Sequence, residues 1–123
     1  MIRLAVVAGG LAGALGVAAM AAGAHGSGEN LRIAGQFLLF HGPAFLAIAA
    51  ILRLNLCHIL LGHLALGLLL GGLALFAGDL AMRALAGRAL FTAAAPLGGS
   101  GLILGWLMLA AAALVTGTSQ GRK

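Results

Sequence analysis

Four long apolar runs, separated by short polar segments, dominate the pattern of hydrophobic and polar positions along the chain. They cover about residues 4–24, 33–52, 56–77 and 96–115. The hydrocarbon core of a bilayer is about 30 Å thick, so a spanning helix needs about 20 apolar residues, which each run supplies. No run shows the strict alternation typical of a β-barrel strand. A helix also satisfies its own backbone hydrogen bonds in lipid, so each run is predicted to be a transmembrane helix.

The predicted helices follow one another closely, since the segments between them are short. Short connections place consecutive helices side by side and antiparallel, as in an up-and-down bundle. The sequence therefore predicts an all-α fold: an integral membrane bundle of four antiparallel transmembrane helices. We expect it to form a single domain over residues 1–123.

Composition agrees with a membrane protein and excludes the common soluble classes. Hydrophobic residues make up 63% of the chain and charged residues 7%, and the mean hydropathy is +1.16. A soluble domain is about half apolar and about a quarter charged, so this chain lacks the polar side chains that a water-exposed surface needs. The net charge is +5, but the basic residues are scattered singly between apolar runs rather than clustered. We therefore expect the lipid bilayer as a partner and no binding of nucleic acid.

The first apolar run has a second interpretation. Arg3, the apolar stretch and the small residues at 22–24 also suit a secretory signal peptide with its cleavage site. The run is longer than the hydrophobic segment of about 7–15 residues in such peptides. It also carries two glycines four residues apart, which is a helix-packing spacing. We therefore expect residues 1–24 to be retained as the first transmembrane helix.

The distribution of basic residues bears on orientation. An even number of crossings places both termini on one side of the membrane. That side would carry four bases and the opposite side three: Arg3, Arg53, Arg122 and Lys123 against Arg32, Arg83 and Arg88. Because loops rich in Lys and Arg stay in the cytoplasm, we expect both termini to be cytoplasmic.

Glycine is the most prominent residue type for packing, with 21 copies. Three pairs are separated by four residues, a spacing that puts both members on one helix face and lets two backbones approach closely. A glycine-rich phosphate loop is excluded, because no predicted strand precedes the glycines and Gly-Lys-Ser/Thr is absent. The predicted helix-packing residues are Gly9, Gly13, Gly67, Gly71, Gly101, Gly105 and Trp106.

The chain has two acidic residues. Glu29 lies in the first predicted loop, where we expect it to be exposed. Asp79 lies at the end of the third apolar run, and Arg83 follows four residues later in the favourable order for a pair on one helix face. Because charges near lipid are costly unless paired, we expect an ion pair between Asp79 and Arg83.

The remaining chemical groups do not form a reactive site in the sequence. His58 and His63 project roughly 140° apart on a helix, which is poor for chelating one ion. His41 and His63 differ in predicted depth by roughly 8 Å, which is awkward for a shared haem iron. His41 is therefore interpreted as a buried polar residue bonded to a neighbouring helix. We expect no catalytic residues, no bound metal, no cofactor and no enzymatic activity.

Three short motifs resemble a known family. They are Gly23-Ala24-His25-Gly26 after the first helix, His41 after an aromatic-rich stretch, and Pro96-Leu97-Gly98-Gly99 followed by Gly105-Trp106. With these, nearly the whole chain resembles the small membrane proteins grouped as domain of unknown function 423, which include the transmembrane protein 256 type. The family residues expected to matter are Gly23, His25, Gly26, His41, Pro96, Gly98 and Gly99.

The resemblance implies a four-helix protein of the bacterial inner membrane and implies no biochemical activity. The chain departs from the family pattern near His41, because it has Phe37-Leu38 where a Tyr-Gln pair is common and Gly42-Pro43 where Ala-Leu is usual. If the glutamine normally bonds the histidine, that partner is missing in this chain.

Two functions remain open from the sequence. The first is a structural or accessory membrane protein that packs through its glycine-rich faces against further copies of itself or a larger membrane complex. The second is a component of a small transporter or channel, in which His41, Asp79 and the irregular backbone expected at Pro43 line a polar path.

Overall fold

The computed structural model describes residues 1–116 and contains four α-helices there. Their bounds are α1 Ile2–Ala22, α2 Glu29–Arg53, α3 Ile59–Ala86 and α4 Ala94–Thr116. Each is long and apolar enough to cross a membrane, and no strand occurs in the described part of the chain. The predicted all-α class with four membrane-spanning helices is therefore confirmed. Arg122 and Lys123, which entered the orientation argument, lie outside the described residues.

The bounds of α3 differ most from the prediction. The helix runs nine residues beyond the predicted end at residue 77, because Asp79 and Arg83 pair within it and remain helical. It ends where Gly87 adopts a left-handed conformation, with φ of 71°, which a glycine does readily. At its start, His58 is extended and its side chain accepts a hydrogen bond from the Leu61 amide, so the first turn begins at Ile59.

The connection between α1 and α2 is shorter than predicted, because α2 already begins at Glu29. A carboxylate in the first turn of a helix interacts favourably with the positive end of the helix dipole. The link itself is the tight turn Gly23–Ser27, in which His25 and Gly26 leave the helical conformation. Gly26 and Gly28 have φ of 102° and 91°, a region that side chains strongly disfavour, so glycine is needed at both positions.

Helices α1 and α2 meet at two points where backbone lies against backbone. Gly9 faces Gly42 and Gly16 faces Gly35; a Cβ built on any of the four would lie 2.8–3.1 Å from the carbonyl oxygen of the facing glycine. A Cβ on Gly42 would also lie 3.2 Å from the Gly13 nitrogen. Residue numbers rise along α1 as they fall along α2, the order expected of antiparallel neighbours. Of the predicted pair, Gly9 therefore lies at a helix–helix contact, whereas only the backbone of Gly13 adjoins Gly42 and a Cβ built on Gly13 would meet no atom within 4 Å.

Helices α3 and α4 meet in the same way, but with a different set of glycines on α3. A Cβ on Gly72 would lie 2.8 Å from the Gly98 carbonyl oxygen, and one on Gly105 would lie 2.8 Å from the Leu69 side chain. Gly101 also adjoins Gly72, with its Cβ position 3.4 Å from the Gly72 Cα. The predicted residues Gly101 and Gly105 thus lie between the helices.

Gly67 and Gly71, also predicted to pack helices, do not contact another helix of this chain. A Cβ built on either would meet no atom within 4 Å. Successive helical residues project about 100° apart, so Gly71 must face away when its neighbour Gly72 faces α4. The spacing of four residues identified a common face correctly but not the direction in which that face points.

Large apolar side chains divide between a small interior and an extensive outer surface. Phe45, Leu66 and Leu69 are fully buried, whereas Leu107 and Leu114 are 62% and 80% exposed. Large apolar side chains are exposed along all four helices, far more than a soluble monomer tolerates. Hydrocarbon accepts these side chains without cost, which agrees with four helices that cross a bilayer.

Candidate functional site

The first polar site in the interior is built around the imidazole of His41, near the middle of α2. His41 is 5% exposed, and both of its ring nitrogens have a partner. Nδ1 lies 2.8 Å from the carbonyl oxygen of Phe37, one turn earlier in the same helix. Nε2 lies 3.2 Å from Nε1 of Trp106 on α4. His41 is therefore joined to its own helix on one side and to α4 on the other.

The two hydrogen bonds determine which nitrogen of His41 carries the proton. An indole N–H only donates, so Nε2 of His41 must accept from Trp106. A backbone carbonyl only accepts, so Nδ1 must carry the proton and donate it to Phe37. The imidazole is thus held as the neutral Nδ1–H tautomer. A proton or a metal ion could reach Nε2 only by displacing the Trp106 indole.

Aromatic rings surround the hydrogen bond between His41 and Trp106, and their contacts reach a third helix. The His41 ring centroid lies 5.8 Å from that of Trp106, 6.1 Å from Phe45 and 6.2 Å from Phe37. Phe37 in turn lies 4.4 Å from Phe76 on α3. We call these five residues the His41 cluster. Because tilted and offset rings at these distances attract one another, the cluster joins α2, α3 and α4.

Trp106 occupies a boundary position rather than the interior. Its side chain was predicted to pack between helices, and one edge does so through the bond to His41. The residue is nevertheless 44% exposed, so the rest of the indole faces outward. The interaction therefore holds α4 against α2 from the outer surface of the bundle.

A double-mutant cycle on His41→Ala and Trp106→Phe is expected to give a coupling free energy of about 0.6–1.7 kcal/mol, the range for hydrogen bonds between membrane helices. The unfolding free energy would be measured by circular dichroism during titration with a denaturing detergent. His25→Ala is the matched control, because His25 is exposed in the first loop and should show no coupling to Trp106. Additive effects of the His41 and Trp106 substitutions would contradict the bond.

The second polar site is built around Asp79, which is fully buried. Oδ2 accepts from Nε of Arg83 at 2.8 Å, so the predicted ion pair is present. Oδ1 accepts from the backbone amide of Leu90, also at 2.8 Å. Asp79 thus ties the loop between α3 and α4 back to α3. The bond to Leu90 had no signal in the sequence, because its donor is a main-chain group eleven residues away.

The other charged and titratable groups have local roles. Glu29 is exposed, as expected, and also pairs with Arg32 one turn later. Nδ1 of His63 lies 2.7 Å from the Ile59 carbonyl oxygen within α3. Cys57 is buried in the loop between α2 and α3, and burial raises the pKa of its thiol. Among residues 1–116, no three His, Cys, Asp or Glu side chains are grouped so that they could hold a metal ion.

The other family-motif residues shape the backbone. Gly23 lies against Arg32, with its Cβ position 3.1 Å from the Arg32 nitrogen, and Gly26 makes the turn beside exposed His25. Pro96 lies in the first turn of α4, where a missing N–H removes no helical bond. The glycines after it differ: a Cβ on Gly98 would lie 2.5 Å from the Phe76 nitrogen, whereas one on Gly99 would make only ordinary contact with the Phe76 ring at 3.8 Å.

A known family matches most of this chain. The family model described as "Protein of unknown function (DUF423)" matches residues 12–99, well over half of the chain. The chain belongs to the DUF423 family. The DUF423 match includes His41, Asp79 and Gly98 but ends before Trp106, so it covers less of the chain than the motifs suggested. No solved structure matches the chain.

Proposed function

We propose that this DUF423 protein is a structural or accessory component of the bacterial inner membrane, without enzymatic activity. It packs against further copies of itself or against a larger membrane complex. Both termini lie in the cytoplasm in this proposal, because the side that carries them has the larger number of basic residues.

The proposal rests on one observation: the buried polar atoms are hydrogen-bonded to groups of the same chain. Both nitrogens of His41 and both carboxylate oxygens of Asp79 are occupied by groups of the same chain. A reactive or transporting group needs an atom that is free to bind a proton, ion or substrate. These side chains instead hold α2 to α4 and the last loop to α3, which supports a structural role.

The alternative of a small transporter finds less support. Phe37 on α2 contacts Phe76 on α3, so in antiparallel helices Asp79 lies beside a part of α2 about 10 Å away from His41. A path between the two would have to cross apolar packing. The described residues show no polar groups that would line such a path between His41 and Asp79.

The outward face of α3 is the surface through which we propose the protein meets its partner. Gly67 and Gly71 lie four residues apart and open to the surroundings, although this spacing is typical of close helix contacts in membranes. A partner helix could approach the α3 backbone there as closely as α4 approaches it at Gly72.

Chemical cross-linking in native membranes, followed by purification of the tagged protein in mild detergent, tests the proposal. The wild-type chain is expected to yield a homo-oligomer or a defined complex. Gly71→Leu should reduce its recovery several-fold, because the added side chain blocks the α3 face. Gly10→Leu is the control, since Gly10 also faces open space but lies on α1. A strictly monomeric chain without a partner would contradict the proposal.

A further inference from the structure

A long apolar groove runs between α1 and α3, with α2 as its floor. Its walls include Ala18 and Ala22 of α1 and Ala81 and Leu85 of α3, and Leu38 lies on its floor. The groove has a volume of about 610 Å³ and is lined almost entirely by apolar atoms. Such a surface offers water no hydrogen-bond partners, so in the bilayer an apolar occupant must fill it.

The dimensions of the groove match one lipid chain. Its lining extends along α1 from Ala8 to Ala22, a length of roughly 21 Å at the helical rise per residue. This exceeds the roughly 15 Å occupied by the chains of one leaflet, which is half of the hydrocarbon core. An acyl chain of one leaflet can therefore lie within the groove along its full length.

A second transmembrane helix is the competing occupant of this groove, because the alanines that line it would let two helices approach closely. The charge at one end of the groove favours a lipid instead.

The charge at one end of the groove indicates which lipid would occupy it. That end is lined by Ala22, Leu31 and Leu85, next to Arg32 in the first turn of α2 and to the loop that carries Arg88. The two carboxylates of the chain pair with Arg32 and Arg83. Within the described part of the chain, Arg88 has no such partner and is exposed, so this end retains one uncompensated positive charge.

The position of Arg88 near the groove is set by the Asp79 site. The amide of Leu90 bonds to Asp79, and a Cβ on Gly78, which lines the groove, would lie 3.5 Å from the Leu90 side chain. Two residues span at most about 7 Å, so Arg88 is held within that distance of Leu90. Its guanidinium can therefore reach the level of a lipid phosphate above the groove.

We propose that the groove between α1 and α3 binds one acyl chain of an anionic phospholipid and that Arg88 binds the phosphate of its headgroup. The single uncompensated charge matches the single negative charge of a phosphodiester. The groove borders the Gly67 and Gly71 face, because Gly78 lies two turns after Gly71 on the same side of α3. The inference nevertheless goes beyond the proposed accessory role, since it concerns a lipid and does not depend on which protein partner the chain meets.

Native mass spectrometry of the full chain, extracted in mild detergent and mixed with equal amounts of phosphatidylglycerol and phosphatidylcholine of the same chain length, tests the site. The wild-type protein should retain one phosphatidylglycerol with a preference of about fivefold, the contribution of one basic residue near a membrane surface. Arg88→Gln should reduce this preference to near unity. Ala18→Phe, which fills the groove, should remove the bound lipid of either kind.

Two matched variants separate the site from general lipid contact. Arg53→Gln removes a base at the opposite end of α2, and Ala21→Phe adds the same ring to an exposed alanine of α1 that does not line the groove. Both should retain phosphatidylglycerol as the wild type does. Equal binding of the two lipids by the wild type, or equal losses in the matched variants, would overturn the inference. A dimer that Ala18→Phe dissociates would also overturn it, whereas loss of a protein partner with lipid retained would count only against the accessory role.

Discussion

Gly72→Ala is expected to lower the free energy of unfolding by about 1–2 kcal/mol, whereas Gly71→Ala should leave it unchanged or raise it. A methyl group on Gly72 would lie 2.8 Å from both the Gly98 carbonyl oxygen and the Leu102 nitrogen. Both are backbone atoms, so α3 and α4 must move apart, and overpacking of this kind costs about 1–3 kcal/mol. The better helix propensity of alanine offsets this by at most about 1 kcal/mol.

The comparison between Gly71 and Gly72 removes most other variables. The two substitutions are chemically identical, lie in the same turn of the same helix and differ only in the direction that they face. Trp106 is the only tryptophan, so its fluorescence during thermal unfolding in detergent reports on the α4 environment without a label. Equal stabilities for the two variants would show that α3 and α4 do not meet at Gly72.

Asp79→Ala is expected to lower the midpoint of thermal unfolding by on the order of 10 °C. The substitution leaves the amide of Leu90 and the guanidinium of Arg83 without their acceptor, and unpaired polar groups near lipid are costly. It also frees the loop between α3 and α4, so that loop should become sensitive to added protease. Asp79→Asn should lie between the wild type and Asp79→Ala, because an amide oxygen can still accept from Leu90.

Two further substitutions show whether the loss of stability in Asp79→Ala arises at the Asp79 carboxylate. Arg83→Gln should also destabilise the protein, because it leaves the buried Asp79 carboxylate without its charged partner. Glu29→Ala should have almost no effect, since exposed ion pairs contribute little. If Asp79→Ala unfolded at the same temperature as the wild type, the structural assignment of Asp79 would be wrong.

Much of the fold follows from the sequence because hydrocarbon imposes few alternatives. The length and polarity of the apolar runs predict four helices, and their number and class are as expected. The apolar run of α3 stops at residue 77 although the helix continues to Ala86, because a run of apolar residues does not reveal where charged residues remain helical. The helix continues through Asp79 and Arg83 because the two side chains form an ion pair.

The contact between His41 and Trp106 was predictable in principle. Each lies twelve residues beyond the first residue of its helix, and α2 and α4 begin on the same side of an up-and-down bundle. The two side chains therefore lie at the same depth, roughly 18 Å from the helix starts. A donor-only indole and an imidazole at equal depth in lipid have few other partners. The exact start of α2, which the polar segment before it obscured, was the missing information.

The direction of the glycine faces could not be read from spacing alone. Of the four glycines in the pairs 9/13 and 67/71, only Gly9 would place a Cβ against a neighbouring helix of the chain. Every face of α3 is apolar or small, so polarity does not distinguish the side that meets α4 from the side that meets lipid. Only the three-dimensional arrangement of the neighbouring helices determines it.

Single-cysteine labelling in intact cells tests most directly whether the four helices cross the membrane in succession. His25→Cys, Leu54→Cys and Arg88→Cys place thiols in the three successive loops, in a background where the native Cys57 is serine. A membrane-impermeant thiol reagent should label His25→Cys and Arg88→Cys from outside, and Leu54→Cys only after the membrane is permeabilised. Labelling of Leu54→Cys from the same side as either of the others would contradict the four-helix membrane arrangement.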